Sequence, residues 1–254
     1  MPKELNTYSY SKITHFYDCP YSFYKHYFDE EVGIGAGVSE FGGFMHTIME
    51  KYEKGELKIK DMPSYYIQNY NDNIHSSFEL LLSPEFSKNF ADFYYEKGLK
   101  YLVNFKGFTD WKILNVEHEF NTNINDKFIL TGKIDLVALD KDGKLLICDH
   151  KSKTKFKSKK ELKDYSKQLY AYSYPTYLLY NKYPDYLVFN LFSETGQEII
   201  PFNEKDYKMT MDWLEHSVDE IESAFDFPTN YGTFYCRNFC AYRKKCYPEC
   251  KFND

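Results

Sequence analysis

The sequence predicts a single α/β domain with a helical insertion. Up to residue 105 the hydrophobic periodicity is mainly helical. Three consecutive strand patterns follow, then a helix and a further apolar strand, so we expect this helix to cross over onto the same sheet. No internal repeat or low-complexity linker divides the 254 residues, and one domain is the economical arrangement.

Capping and breaking residues set the boundaries of the predicted elements. Ser9 or Ser11 can cap a first helix, which Pro20 should bend or restart. The predicted helices are 9–28, a segment around His46 after the glycine-rich connection 33–43, two segments of 64–105 divided at Pro84, 161–180 with a kink at Pro175, and 204–225. The predicted strands are 112–120, 128–139, 144–151, 186–193 and 198–202. A helical part, an α/β core and a C-terminal part thus cover residues 1–110, 111–203 and 204–254.

Composition limits the classes of function. No segment has the roughly 18 apolar residues that cross a bilayer, and residues 1–5 lack the apolar run of a secretory signal, so we expect a soluble cytoplasmic protein without a membrane partner. The net charge of −6 argues against nonspecific coating of nucleic acid, but seven lysines within residues 151–163 could line a local basic groove. A solvated lysine-rich loop would have the same composition. Aromatic residues make up 20% of the chain, which is compatible with stacking on single-stranded nucleic acid.

A predicted hairpin carries the strongest indication of chemistry. Asp135 and Asp149 are equidistant in sequence from Asp142, so a hairpin folded about that residue brings the two carboxylates opposite each other. Strand alternation turns Lys151 to the same face as Asp149. Two facing acids beside a lysine suit a hard divalent cation and a polarised water, as in phosphodiester hydrolysis. A surface hairpin can also carry Asp and Lys without chemistry, but Asp149 ends an apolar run, where an uncompensated carboxylate is costly.

The cysteines indicate a second metal site. Four of the six crowd the C-terminal end, whereas Cys19 stands alone and Cys148 lies in a predicted strand as a buried thiol. Disulfides are improbable in a cytosolic chain, so the cluster is expected to bind zinc or an iron–sulfur cluster. Spacing alone favours zinc, because four clustered thiolates can close a tetrahedral site. The clustered residues are Cys236, Cys240, Cys246 and Cys250.

Several short motifs occur in a fixed order along most of the chain. They are Ser9-Tyr10-Ser11, Cys19-Pro20-Tyr21, Gly43-Phe44-Met45-His46, Gly132-Lys133-Ile134-Asp135, Asp149-His150-Lys151 and Gln168-Leu169-Tyr170-Ala171-Tyr172. Together they resemble the RecB-like branch of the PD-(D/E)xK nuclease superfamily, in particular its iron–sulfur members related to the CRISPR-associated adaptation nucleases and to the nuclease domain of AddB. The resemblance implies a restriction-endonuclease-like core, a mixed central sheet flanked by helices.

The resemblance also implies roles for individual residues. Asp135, Asp149 and His46, with the carbonyl of His150, would hold Mg²⁺ or Mn²⁺. Lys151 would orient the attacking water or stabilise the transition state. Gln168 and Tyr172 are four residues apart on one helix face, where they can meet DNA or the lysine. Either Glu117 or Glu119 corresponds to a further acidic position of the family.

For the cysteines, the resemblance shifts the expectation from zinc to a structural [4Fe–4S] cluster. Its ligands would be Cys19, Cys236, Cys240 and Cys246, with Cys250 as a substitute. The tail departs from the usual Cys-x2-Cys-x5-Cys spacing, because three residues separate the first two of its cysteines.

The expected activity is that of a prokaryotic or phage-encoded DNA exonuclease that acts on single-stranded ends, in DNA repair or recombination. It would work alone, as a homo-oligomer or within a larger recombination or replication complex. The alternatives are a zinc-stabilised nucleic-acid-binding or complex-assembly module with a weak or vestigial nuclease site, and a zinc-stabilised protein that acts on RNA.

Overall fold

The computed structural model describes residues 5–76, 78, 84–192 and 196–247. In this part of the chain, a six-stranded mixed sheet has helices on both faces. The strands are β1 (Thr7–Ser9), β2 (Lys112–Ile124), β3 (Phe128–Leu139), β4 (Leu145–Lys151), β5 (Tyr186–Leu191) and β6 (Gln197–Pro201). The helices are α1 (Tyr10–Asp18), α2 (Pro20–Tyr27), α3 (Gly37–Glu53), α4 (Met62–Asn73), α5 (Pro84–Asn104), α6 (Lys159–Tyr180), α7 (Glu204–Ser223), α8 (Phe234–Asn238) and α9 (Arg243–Cys246). The α/β class with a mixed central sheet is therefore confirmed.

The strand order creates a notch beside β3. β2 pairs antiparallel along all of β3, so β1 and β4 share the opposite edge. β1 pairs with residues 129–131 of β3, and β4 pairs with residues 136–139 of β3. Residues 132–135 lie between the two neighbours, while β4 continues in parallel pairing with β5 as far as Lys151. The carboxyl end of β4 thus separates from β3 beside an unpaired stretch of that strand.

The N-terminal prediction over residues 9–28 omits a strand, whereas the interruption expected at Pro20 is present. Residues Thr7–Ser9 form a strand parallel to β3, which is too short to leave a period-two pattern in the sequence. Cys19 has an extended backbone, and Pro20 starts α2 as a separate helix. Ser9, one of the two predicted caps, accepts a hydrogen bond from the Lys12 amide at 3.0 Å.

The other predicted elements are present, most with small shifts at their ends, but α4 ends at Asn73, well before the predicted division at Pro84. The α3 helix starts at Gly37, within the segment expected to be a connection, so Gly42 and Gly43 are helical. β2 extends to Ile124 instead of ending at residue 120, and α6 continues through Pro175. No helix among the described residues combines the length and the apolar character that a bilayer crossing requires.

Two hydrophobic clusters pack on opposite faces of the sheet. Ile147 and Leu187 belong to the cluster that includes residues of α1, α6 and α7. Cys148 and Val188, the alternate residues of the same strands, belong to the cluster that includes residues of α3, α4 and α5. The prediction that Cys148 is a buried core thiol is confirmed, because the residue has no exposed surface. The notch therefore lies between two helical layers that can both supply side chains to it.

Candidate active site

The β3–β4 hairpin brings the two predicted carboxylates together. Its register pairs Leu136 with Cys148, which places Asp135 opposite Asp149 at the next position, where the notch begins. The amide of His150 donates a hydrogen bond to Asp135 Oδ2 at 2.8 Å. Asp135 is 9% exposed and Asp149 4% exposed. The equidistance of the two acids from the turn therefore correctly predicts the geometry of this hairpin.

The β2–β3 hairpin adds Glu117 to this group. The sequence alone left the choice between Glu117 and Glu119 open. Its register pairs Val116 with Leu136 and His118 with Ile134, so Glu117 lies opposite Asp135. The backbone φ of Glu117 is 53°, in the left-handed region that residues other than glycine rarely adopt. Glu119 is exposed and pairs with Lys133 in the ladder.

Helix α3 supplies a nitrogen ligand to this group. His46 Nδ1 lies 3.4 Å from Asp135 Oδ2. The candidate ligand atoms of His46, Glu117 and Asp135 all lie within 4.8 Å of one another. Glu117 also forms an ion pair with Lys133, whose side chain is about half exposed and can be displaced. Helix α3 and the two strands of the β2–β3 hairpin thus converge on one potential cation site.

The protonation states at this cluster suit a divalent cation. Burial and the neighbouring charge of Asp149 raise the pKa of Asp135 to about 7. Burial, reinforced by the positive charges of His150 and Lys151, lowers the pKa of His46 to about 3, so its imidazole is neutral at physiological pH. A neutral imidazole and closely spaced carboxylates are ligands for Mn²⁺, and the carboxylates for Mg²⁺. A bound cation would offset the repulsion that raises the Asp135 pKa.

Asp149 retains one unused acceptor. Its Oδ1 accepts hydrogen bonds from Gln168 Nε2 at 2.9 Å and from Lys151 Nζ at 3.0 Å. Its Oδ2 is buried and lies 2.8 Å from Lys151 Nζ, but this contact lacks hydrogen-bond geometry, and the oxygen accepts no hydrogen bond. The Lys151 ammonium compensates the charge of this oxygen. The oxygen still has lone pairs that could coordinate a cation.

Lys151, Gln168 and Tyr172 form a connected group on the same side as Asp149. Lys151 Nζ donates to Gln168 Oε1 at 2.9 Å, and Gln168 Nε2 lies 3.5 Å from the Tyr172 hydroxyl. Burial alone would lower the pKa of Lys151, but the charge and hydrogen bond of Asp149 raise it overall. The ammonium is therefore charged and held in place at the edge of the carboxylate cluster. The predicted one-face arrangement places Gln168 against this lysine and Tyr172 against Gln168.

The side chain of His150 lies on the face of the sheet that packs against α3, α4 and α5, with its ring centroid 5.6 Å from that of His46. Its Nε2 lies 2.9 Å from Glu53 Oε1, and its Nδ1 lies 2.9 Å from Asn190 Nδ2. Both ring nitrogens are thus engaged, and the imidazole is not available as a ligand without breaking this network. Only the backbone carbonyl of His150 corresponds to the predicted ligand role. Glu53 lies on α3 two turns after His46, so one helix contacts both the cation site and its support.

The cysteines near the two ends of the described chain gather at a second location. Cys19, Cys236 and Cys240 line one cavity of about 300 Å³. Burial and the nearby thiols of these three residues raise the pKa of Cys246 to about 11, which places Cys246 in the same neighbourhood. Cys250 lies outside the described residues. Cys19 and the described C-terminal cysteines thus lie near one another, and a metal or cluster held by them stays a prediction.

Comparison with known proteins identifies the family. The family model described as "PD-(D/E)XK nuclease superfamily" matches residues 7–247, nearly the whole chain. The chain belongs to the PD-(D/E)XK nuclease superfamily. The strands and helices that carry Asp135, Asp149 and Lys151 lie within the matched region. Nucleases of this superfamily act on nucleic acid with divalent metal ions, in agreement with the cation site described above.

Solved structures support the fold of this PD-(D/E)XK protein. The crystal structure of a "putative exonuclease" from Eubacterium rectale is similar with a TM-score of 0.51 at 10% sequence identity, covering 91% of this chain and 87% of that chain. The structure of SSO0001 gives a TM-score of 0.35 at 13% identity, covering 82% of this chain and 97% of that chain, and is too distant to support an argument. A search of curated proteins finds no match.

Proposed function

We propose that this protein is a metal-dependent DNA exonuclease of the RecB-like, AddB-type branch that acts on single-stranded ends. The observation that carries the proposal is the convergence of His46, Glu117 and Asp135 on one potential cation site. Asp149 is close enough to raise the pKa of Asp135, and it holds the Lys151 ammonium beside the site. The relative from Eubacterium rectale is described as an exonuclease, which supports the choice of exonuclease over endonuclease. DNA repair or recombination, alone or in a larger complex, is the role that such an activity would serve.

The residues of the site divide the work of phosphodiester hydrolysis. His46, Glu117, Asp135 and Asp149, with the His150 carbonyl, would hold Mg²⁺ or Mn²⁺. When bound, the ion supplies a Lewis acid and lowers the pKa of a bound water. Lys151 donates a hydrogen bond to the phosphoryl oxygen, where negative charge increases as water oxygen bonds to phosphorus. The attacking water releases a proton to solvent, the bond from phosphorus to the leaving oxygen breaks, and that oxygen takes up a proton from solvent.

Gln168 fixes the direction of the lysine during this reaction. It accepts a hydrogen bond from the Lys151 ammonium and donates one to the Asp149 carboxylate, so it links the two groups. Because both bonds are made without substrate, the ammonium is preorganised and loses little freedom when the phosphate arrives. This arrangement supports the proposed catalytic role of the Gln168 and Tyr172 helix face.

We further propose that Cys19, Cys236, Cys240 and Cys246 hold a structural [4Fe–4S] cluster, with Zn²⁺ as the alternative occupant. The shared cavity lined by three of these thiols supports the proposal. Hydrolysis transfers no electrons, so the cluster would fasten the chain ends instead of taking part in the reaction. Anaerobic purification should give a brown protein that absorbs at ~400 nm. A colourless protein with one equivalent of zinc would replace this assignment with the zinc alternative.

A nuclease assay on end-labelled DNA tests the proposed activity. Wild-type protein should shorten single-stranded DNA from an end with Mg²⁺ or Mn²⁺ and should be inactive in EDTA. Asp149→Asn removes the charge but keeps the size of the side chain, and it should abolish cleavage. Asp142→Asn, in the exposed turn of the same hairpin, is the matched control and should cleave normally. Equal activity of wild type and Asp149→Asn would show that the nuclease assignment is wrong, and DNA binding without cleavage by the wild type would favour a binding module.

A further inference from the structure

A cleft next to the cation site has features that the hydrolytic chemistry does not use. It has a volume of about 660 Å³ and lies between α1, α6 and α7, with Lys151, Gln168 and Tyr172 at one end. This volume is within the range of roughly 300–1,000 Å³ that is typical of sites for small ligands. We propose that the cleft binds unpaired bases of single-stranded DNA next to the scissile phosphate. This inference rests on the proposed function, since it concerns the substrate of the same site.

One wall of the cleft is aromatic and accessible. Trp213 from α7 is half-buried, and Tyr17 from α1 is 42% exposed. Their ring centroids are 5.9 Å apart with an angle of 34° between the planes, and Tyr10 lies 6.0 Å from Trp213 on another side. In contrast to the many aromatic rings of the two cores, these rings border an open cavity. Nucleobases stack on such rings independently of their identity.

A lysine at the aromatic wall can change partners when DNA binds. Lys167 Nζ lies 5.0 Å from the Trp213 ring centroid and 3.4 Å from Asp164 Oδ1. Both contacts are weak for a partly exposed ammonium. A phosphate would be a stronger partner, because charge-assisted hydrogen bonds to phosphate oxygens are among the strongest in proteins. Movement of Lys167 toward a phosphate would uncover the indole for stacking.

The charges around the cleft indicate which part of a nucleotide enters it. Asp18 and Asp164 border the cleft and would repel a phosphate placed inside it. Lys151 lies at the end next to the cation site, where the scissile phosphate is expected. The sugar–phosphate backbone would therefore follow the lysine side, and the uncharged base would turn toward the aromatic wall. The two carboxylates can accept hydrogen bonds from the amino groups of bases.

This arrangement selects single strands. In a duplex, neighbouring base pairs cover the faces of each base, and the complementary strand occupies its edge, so a base must be unpaired before it can enter a side cleft. The cation site contacts only a phosphate and its nearest oxygens, which single and double strands share. Discrimination between single and double strands is thus assigned to Tyr17 and Trp213 and not to the carboxylates of the cation site.

Intrinsic fluorescence offers a test that does not depend on catalysis. The chain contains two tryptophans, and Trp111→Phe leaves Trp213 as the only one. Trp111 stacks on Phe108 with a centroid distance of 4.5 Å, so phenylalanine preserves this contact. A (dT)₁₂ oligonucleotide in EDTA should quench Trp213 fluorescence, with the same saturation curve as the fluorescence anisotropy of a labelled (dT)₁₂.

Substitutions test the contribution of stacking. Trp213→Leu should weaken binding of (dT)₁₂ roughly 5- to 150-fold, as expected for loss of stacking with one base. The preference for single-stranded over blunt duplex DNA in cleavage should fall by a similar factor. Phe93→Ala, on α5 beyond the opposite face of the sheet, is the control, because Phe93 is 52% exposed and should bind as the wild type does.

The outcomes separate this inference from the proposed function. If labelled (dT)₁₂ bound with a saturable change in anisotropy but Trp213 fluorescence did not change, the cleft assignment would be overturned and the nuclease assignment would stay intact. This test does not require Trp213→Leu to fold. Quenching with no cleavage in Mg²⁺ or Mn²⁺ would support the cleft and contradict the nuclease. Absence of any binding to (dT)₁₂ would overturn the cleft assignment.

Discussion

Asp135→Asn should stabilise the metal-free protein at alkaline pH and remove its response to metal. The folded state holds the Asp135 proton more tightly than the unfolded chain, because burial and Asp149 raise its pKa from 3.8 to about 7. The stability linked to this proton is fully present below about pH 4 and is lost as the pH rises through 7. A difference of about three pKa units corresponds to at most about 4 kcal/mol. Asparagine keeps the oxygen that accepts the His150 amide but carries no charge.

Thermal unfolding in EDTA between pH 5.5 and 8.5 measures this effect. About half of the stability linked to the Asp135 proton, roughly 2 kcal/mol, is lost between pH 5.5 and 8.5. The melting temperature of the wild type should therefore fall over this range relative to that of Asp135→Asn, by up to about 4–8 °C. Mn²⁺ at pH 8 should restore the wild type and leave the variant unchanged. Asp142→Asn, in the turn, should follow the wild type. If wild type and Asp135→Asn showed parallel melting curves at every pH, the proposed repulsion between Asp135 and Asp149 would be refuted.

Three further substitutions test the packing around the site, each by urea unfolding. Gly132→Ala should lower the free energy of unfolding by about 1–3 kcal/mol, because the added Cβ would lie 2.7 Å from the Phe120 ring; a neutral effect would contradict the tight packing. Glu53→Leu should lower the free energy of unfolding by about 3–5 kcal/mol, because it leaves His150 buried without its partner. Glu53→Gln should lower it less, and equal losses for the two variants would contradict the hydrogen-bonded pair. Gly43→Ala should raise the free energy of unfolding by about 0.5–1 kcal/mol, because alanine favours the helix and meets no described atom within 4 Å; destabilisation would show that this helix face is packed.

The core of the site could be predicted from the sequence because hairpin geometry is local. Equidistance from Asp142 places Asp135 opposite Asp149 without knowledge of the rest of the fold. The same count about Asp126 places Glu117, and not Glu119, opposite Asp135. That signal was present in the sequence, but it requires knowing that β2 and β3 pair through a turn at residue 126.

Other features could not be predicted because they depend on contacts between distant segments. A strand of three residues such as β1 leaves no periodic pattern, and only its pairing with β3 defines it. The contact between His150 and Glu53 joins β4 to α3 within the hydrophobic cluster that includes residues of α3, α4 and α5. The cleft around Trp213 exists only once α1, α6 and α7 have packed together. Its aromatic residues are ordinary members of helical patterns when the sequence is considered alone.

Paired substitutions of the two β2 glutamates test the central claim most directly. Glu117→Gln and Glu119→Gln make the same chemical change two residues apart on one strand, but only Glu117 lies in the cation site. Cleavage of end-labelled single-stranded DNA in Mn²⁺ should fall at least ~100-fold for Glu117→Gln and should stay within about twofold of the wild type for Glu119→Gln. Equal activities of the two variants, or a wild type that does not cleave in either Mg²⁺ or Mn²⁺, would contradict a metal-dependent nuclease site built on His46, Glu117 and Asp135.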